Sequence, residues 1–381
     1  MSAGRGGRWN DVAAALQAPG RWHSSAPMHD AREGHTATLL PDGRVLVTGG
    51  DLHGARFLAS CELYDPLGMS WHRAAPLATP RAAHTATLLE DGGVLVAGGV
   101  NSWGTLASAE AYDPTVDAWS DRATLGTERS GHAAVRLAGG LVLCTGGMNL
   151  GRIPPAHLSS VELYDPILDL WDGAADMRWP RAGHSATVLD DTTALVVGGN
   201  GPGGPSGAAE VYRVRTDTWE SIEWGEVVCG CCTATSLGQG RVLVAGGSPS
   251  AVGGSGHDGV APELRPADRT AALYCHGTRR LRLVREMAVG RQHHVATLLT
   301  DGGVLVTGGS NGGSRILDDT EIHDPVTAAW AWAGRLGTPR MFHTGTLLPT
   351  GDVLVAGGLG RLGAELSSLD SAELFSPGCR G

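Results

Sequence analysis

The sequence predicts an all-β fold made of seven copies of one four-stranded unit, and three observations carry that prediction. A pair of glycines after a short apolar run recurs at Gly49, Gly98, Gly146, Gly198, Gly246, Gly308 and Gly357, at a period of roughly 50 residues. Glycine supplies 58 of the 381 residues, about twice its usual share, as expected of a chain that turns often and tightly. Runs such as VLVTGG and ELYDP are of strand length, rich in β-branched and aromatic residues, and separated by D-G and D-P turn signals.

Each unit has the same order. It opens with R-x-x-H-[TS]-A-T-L-L (strand a), turns at D-G, and runs through V-L-V-x-G-G (strand b). After a segment of variable length it returns in A-E-L-Y-D-P (strand c), and a tryptophan seven residues after the aromatic opens strand d. That tryptophan is Trp71, Trp119, Trp171, Trp219 and Trp330. The last unit ends in SAELFSPGCRG with no strand d, whereas GRWHSSAPM at 20–28 carries Trp22 and reads as the missing strand. Joining the two closes a ring and removes its open edge. The expectation is a seven-bladed β-propeller as a single domain over 20–377, with an N-terminal extension at 1–19 and a tail at 378–381. The double glycine, the fixed aromatic-to-Trp spacing and the sevenfold recurrence resemble the kelch repeat. That resemblance implies the fold and leaves function open, because the same architecture serves enzymes, sugar binders and protein adaptors.

Composition narrows the partners. The chain is 42% hydrophobic and 18% charged with a formal net charge of −10, which gives no electrostatic reason to approach a phosphate backbone or an anionic bilayer. Neither nucleic acid nor membrane is expected as a partner. The N-terminus has no apolar run of signal-peptide length and no later segment is long enough to span a bilayer, so a cytoplasmic setting is expected. There the seven cysteines should be thiols unless a metal or redox reaction claims them.

Strands alternate in direction, so the D-G and D-P turns share one face of the ring. The start of strand a and the loop after the double glycine share the other. Length variation is concentrated in that loop, longest in SPSAVGGSGHDGVAPELRPADRT at 248–270, and variable loops on a rigid scaffold are where binding and catalysis concentrate. The GGSNGG at 308–313 follows a strand but precedes no helical pattern, so it reads as a b–c turn rather than a phosphate loop.

Two recurring residues read as structural. Arg32, Arg81, Arg129, Arg181, Arg291 and Arg340 open six units whose strand c carries Glu62, Glu110, Glu162, Glu210, Glu321 and Glu373. In the fifth unit Cys229 and Ala272 replace both at once, as expected of an Arg–carboxylate pair in which neither partner can be buried alone. His35, His84, His132, His184 and His343 are read as hydrogen-bonding partners demanded by every blade; His294 is set apart by its neighbours.

The fifth unit departs almost everywhere. It has Cys232 for the histidine, Cys275-His276 for Asp-Pro, Leu281 for the tryptophan, and the longest loop, which contains His257. The residue before the recurring histidine is small in units one to four (Gly34, Ala83, Gly131, Gly183) and becomes Cys231, His293 and Phe342 in units five to seven. Successive strand residues point oppositely, so one cysteine and one histidine should face a pocket near the central channel. Thiolate and imidazole together suit copper(I) or zinc, with iron as a further possibility. The expected ligands are Cys229, Cys231, Cys232, His293 and His294, and His257 is the candidate further ligand or proton carrier. The competing reading makes the cysteines small hydrophobes filling the space left by Arg and Glu.

GRQHHVATLL at 290–299 resembles the copper radical oxidases, galactose oxidase and glyoxal oxidase, whose corresponding segment reads R-x-Y-H. The resemblance implies that His294 matches a ligand histidine and His293 stands at the axial tyrosine. No tyrosine precedes any recurring histidine here, so a tyrosyl-cysteine radical is not implied. The expected function is a copper-dependent oxidoreductase acting on a small-molecule substrate in a biosynthetic setting. The alternative is a non-catalytic propeller that binds a protein or small molecule on its loop face. Sugar isomerisation is a third reading, for which spacing alone picks out no acid/base pair.

Overall fold

A computed structural model describes residues 20–205, 207–222, 230–248, 267–313, 315–363 and 365–378. It forms a seven-bladed β-propeller of four-stranded antiparallel sheets. Blade one consists of Thr36–Leu39, Val45–Thr48, Cys61–Asp65 and Ser70–Ala74 as strands a to d. The later blades repeat that order, with strand a at Thr85–Leu88, Ala133–Arg136, Ser185–Asp190, Thr233–Gly238, Val295–Leu298 and Thr344–Leu347. Consecutive a strands adjoin around the axis, and the d strands form the rim.

The ring closes as the sequence predicts. Arg21–Ser25 pairs antiparallel with Ala372–Ser376, with Trp22 opposite Phe375. The substitution is chemically equivalent to a native strand d. Trp22 packs on Phe375 with centroids 5.1 Å apart, as Trp71 packs on Tyr64 at 5.0 Å. Its indole N–H donates to the Ala333 carbonyl of the preceding blade at 3.1 Å, as Trp119 donates to Ala75 and Trp219 to Ala175. Every such tryptophan therefore stitches one blade to the previous one while covering a core between them. Those cores are apolar wedges shared by adjacent sheets, such as Val45, Val47, Tyr64 and Trp71 of blade one with Leu354, Ala356 and Leu374 of blade seven.

Each Arg–Glu pair lies within one sequence unit and anchors more than its partner. The fully buried Arg81 donates through Nη1 to the Gly98 and Ser108 carbonyls and through Nη2 to Glu110 Oε1 at 2.8 Å. Glu110 accepts the backbone N–H groups of Ala78 and Thr79 on the incoming linker. The same arrangement links Arg32 to Glu62, Arg129 to Glu162, Arg181 to Glu210, Arg291 to Glu321 and Arg340 to Glu373 at 2.6–2.8 Å. The double glycine is required by this network. Gly49 has φ +59° and a Cβ there would stand 2.4 Å from the Arg81 carbonyl.

Among the described loops after the double glycine, backbone pairing supplies order that the sequence does not signal. Four of them pair into two-stranded ribbons: Val100–Asn101 with Gly104–Thr105, Met148–Asn149 with Ala156–His157, Asn200–Gly201 with Gly204–Pro205, and Leu359–Leu362 with Glu365–Ser368.

Candidate functional site at the channel mouth

The residue before each recurring histidine leads into the innermost strand and sits at the mouth of the channel. Gly34, Ala83, Gly131, Gly183, Cys231, His293 and Phe342 all adopt left-handed backbone, with φ between 51° and 63°. Their peptide groups bond from blade to blade: Ala83 N–H to Gly34 O, Gly131 to Ala83, Gly183 to Gly131, and Phe342 to His293, at 2.8–3.2 Å. A side chain on such backbone costs roughly 1–2 kcal/mol that glycine avoids. Blades five to seven nevertheless carry Cys231, His293 and Phe342 there.

The three differ in chemistry. The His293 and Phe342 rings lie 4.3 Å apart between centroids, and Phe342 is 40% exposed. Desolvation pushes the His293 imidazole down to about 4, so it is neutral at pH 7. Cys231 Sγ accepts from Asn200 Nδ2 at 3.6 Å.

The adjoining positions face elsewhere. Cys232 is buried in the apolar core between blades four and five, with Leu195, Val197, Val242 and Tyr274. His294 takes the same place as the other five histidines, with Nε2 3.1 Å from Thr233 Oγ1 of the preceding blade. The corresponding contacts join His84 to Thr36, His132 to Thr85, His184 to Thr145, His343 to Thr307 and His35 to Thr344 at 2.8–3.2 Å. The geometry thus brings Cys231 and His293 to equivalent points on neighbouring blades and directs Cys232 and His294 between blades. Cys229 and His257 lie outside the described residues. Among the described residues no three His, Cys, Asp or Glu side chains converge to hold a metal ion.

Blade one adds an acid/base cluster on the same face. Glu33, next to Gly34, forms a two-residue bridge with Asp51, each backbone N–H donating to the other's carbonyl at 3.1 and 2.9 Å. His53 Nδ1 is 3.2 Å from Glu33 Oε1. Burial, then the neighbouring Asp51 charge, raise the Glu33 carboxyl to about 7, and burial raises Asp51 as well. Near neutral pH the pair is partly protonated. The signal was present in the repeat, since the positions of Asp51 hold Val100, Met148, Asn200, Ser248, Ser310 and Leu359 in the other units.

Comparison with known proteins agrees with this architecture. The Kelch motif matches residues 82–126. Kelch-like protein 38 of Rattus norvegicus is 26% identical over 187 residues, which are 47% of this chain and 28% of that protein. Kelch-like protein 7 of Rattus norvegicus is 31% identical over 83 residues, 21% of this chain and 14% of that protein. The chain therefore spans less than a third of the length of these curated relatives. Among solved structures, a fungal alcohol oxidase of the AA5 family in complex with copper superposes with a TM-score of 0.73 at 17% identity, covering 94% of this chain and 77% of that one. YjhT superposes with a TM-score of 0.61 at 15% identity, covering 81% and 99%. At these identities the structural likeness speaks for the fold, and the chain is a seven-bladed β-propeller that carries the Kelch motif.

Proposed function

We propose that the channel mouth at blades five to seven binds a small organic molecule. One observation carries the reading: three neighbouring blades keep Cys231, His293 and Phe342 on left-handed backbone where blades one, three and four have glycine. Strained non-glycine backbone clusters at functional sites; Ala83 shares the conformation in blade two, but only blades five to seven put functional side chains on it. Phe342 offers an apolar wall, neutral His293 a hydrogen-bonding group, and Cys231 a polarizable thiol. Glu33 and Asp51 are the groups on this face suited to exchange a proton with a bound molecule near neutral pH. The test replaces all three residues with glycine. The variant is expected to be as stable as the parent or up to about 1 kcal/mol per site more stable, and to lose the thermal stabilisation that members of a small-molecule fragment library give the parent. The same fragments stabilising both proteins equally would overturn the reading.

A second reading is favoured by the pairing of Cys231 with His293, two soft donors at equivalent points of adjacent blades. It makes the protein a copper-dependent oxidoreductase, in keeping with the copper held by the structurally similar alcohol oxidase. Two donors do not complete a coordination shell, so this reading draws further ligands from Cys229 and His257. Elemental analysis after reconstitution with copper, zinc or iron, beside Cys231→Ser and His293→Gln, decides it. About one ion per chain, lost in both variants, is the expected result; a parent that retains no metal ends this reading and leaves the first intact.

A further inference from the structure

A second cleft lies on the rim, between blades five and six, and its lining departs from the repeat. It has a volume of about 240 Å³ and is bounded by Trp330 and Trp332 of strand d, Asp319 and Glu321 of strand c, and Arg269 with the linker at Glu286–Val289. Trp330 is the recurring tryptophan. Trp332 is not: two residues after their tryptophans, blades one to four carry Arg73, Asp121, Gly173 and Ser221. Asp319 likewise stands where units one, two, three and seven have Ser60, Ser108, Ser160 and Ser371, each a hydrogen-bond partner of the blade's arginine.

Blade five has Leu283, 63% exposed, at the same position, so among the described blades only blade six places an aromatic ring there, and that indole is 50% exposed. It is held in place: the Arg335 guanidinium lies 5.5 Å from its centroid and is itself 3.5 Å from Asp318 and from Asp319. The charges around the cleft are already matched. Glu321 pairs with Arg291, Asp319 with Arg315 and Arg335, and Glu286 with Arg269. A charged ligand would find no uncompensated counter-charge. A neutral polyhydroxylated ring would find an aromatic platform for its C–H face, carboxylate acceptors and a guanidinium donor for its hydroxyls.

We propose that the cleft beside Trp332 binds a neutral pyranose sugar, stacked on the indole and hydrogen-bonded by the charged side chains at its edge. The site is separate from the channel mouth and does not depend on it. The test is saturation-transfer NMR and titration of the full chain with the methyl pyranosides of glucose, galactose and mannose and with N-acetylglucosamine. Glucosamine and glucuronate serve as the cationic and anionic counterparts. At least one neutral glycoside is expected to bind saturably, at least tenfold more tightly than its charged counterpart. Trp332→Ala, a rim substitution that leaves the core intact, should weaken it at least tenfold, and Phe342→Gly should leave it unchanged. No saturable binding of any neutral glycoside, equal binding by Trp332→Ala, loss in Phe342→Gly, or preference for a charged sugar would each overturn the proposal.

Discussion

Acidification from pH 7 to pH 5 is expected to unfold the propeller cooperatively, well above the range in which ordinary carboxylates titrate. The cause is the ring of six buried histidines. Desolvation, aided by the nearby arginines, holds His84, His184 and His294 down to about 3 and keeps His35, His132 and His343 well below the usual imidazole value. In the unfolded chain each titrates near 6.5. A folded pKa depressed below the unfolded one means that, between the two, the unfolded chain binds protons the native chain refuses. Stability is therefore full above about pH 6.5 and falls as pH drops below it. At pH 5 each histidine removes roughly 2 kcal/mol, and six remove on the order of 12 kcal/mol, comparable to the whole net stability of a domain. Glu33 opposes this. Its carboxyl is raised to about 7, so it adds stability as pH falls from 7 towards its unfolded value, by at most about 3 kcal/mol. The histidines win by number. Urea denaturation at several pH values between 5.5 and 7 should report a net uptake of about six protons on unfolding, from the six histidines and His293 less the protons released by Glu33 and Asp51, reduced by one in His84→Gln, which retains a hydrogen-bonding group towards Thr36. Stability independent of pH across that range would refute the account.

What was legible in the sequence was whatever every blade repeats. The Arg–Glu pairing could be read because both residues vanish together in the fifth unit, and the ring closure because Trp22 supplies the one missing strand. The histidines read as structural for the same reason, although no spacing says that each reaches into the preceding blade to a threonine hydroxyl. Features set by backbone conformation were less visible. A left-handed residue before the histidine is signalled by Gly34, Gly131 and Gly183, yet Cys231, His293 and Phe342 hide it. The alternation that turns Cys232 and His294 away from the channel follows from strand geometry, but which member of each pair faces inward was settled only by that left-handed residue. The Glu33–Asp51–His53 cluster joins residues separated by a whole hairpin, and Trp332 sits in a unit whose own tryptophan is already accounted for. Both become apparent only when the units are compared position by position.

Arg81→Ala and Glu110→Ala are each expected to destabilise the protein by about 3–5 kcal/mol, since either change leaves a buried charge without its partner. The more informative variant removes both. A simple buried ion pair can be exchanged for apolar residues at little cost, and on that basis Arg81→Met/Glu110→Leu would be near neutral. The hydrogen bonds argue otherwise. Arg81 also satisfies the Gly98 carbonyl and shares the Ser108 carbonyl with the Gly98 N–H, and Glu110 also satisfies the Ala78 and Thr79 N–H groups, so three backbone groups, one buried and two part-buried, lose their partners together. At roughly 1–3 kcal/mol for each buried group left unsatisfied, the double variant should remain several kcal/mol below the parent. A double-mutant cycle from urea unfolding, with the slope of the transition checked for constancy, separates the two accounts. A double variant as stable as the parent would reduce the pair to a dispensable ion pair. A large residual loss would identify it as the hub that pins linker, double glycine and strand c together in six blades. It would then also define what the fifth blade had to replace when Ala272 and Cys229 took these positions.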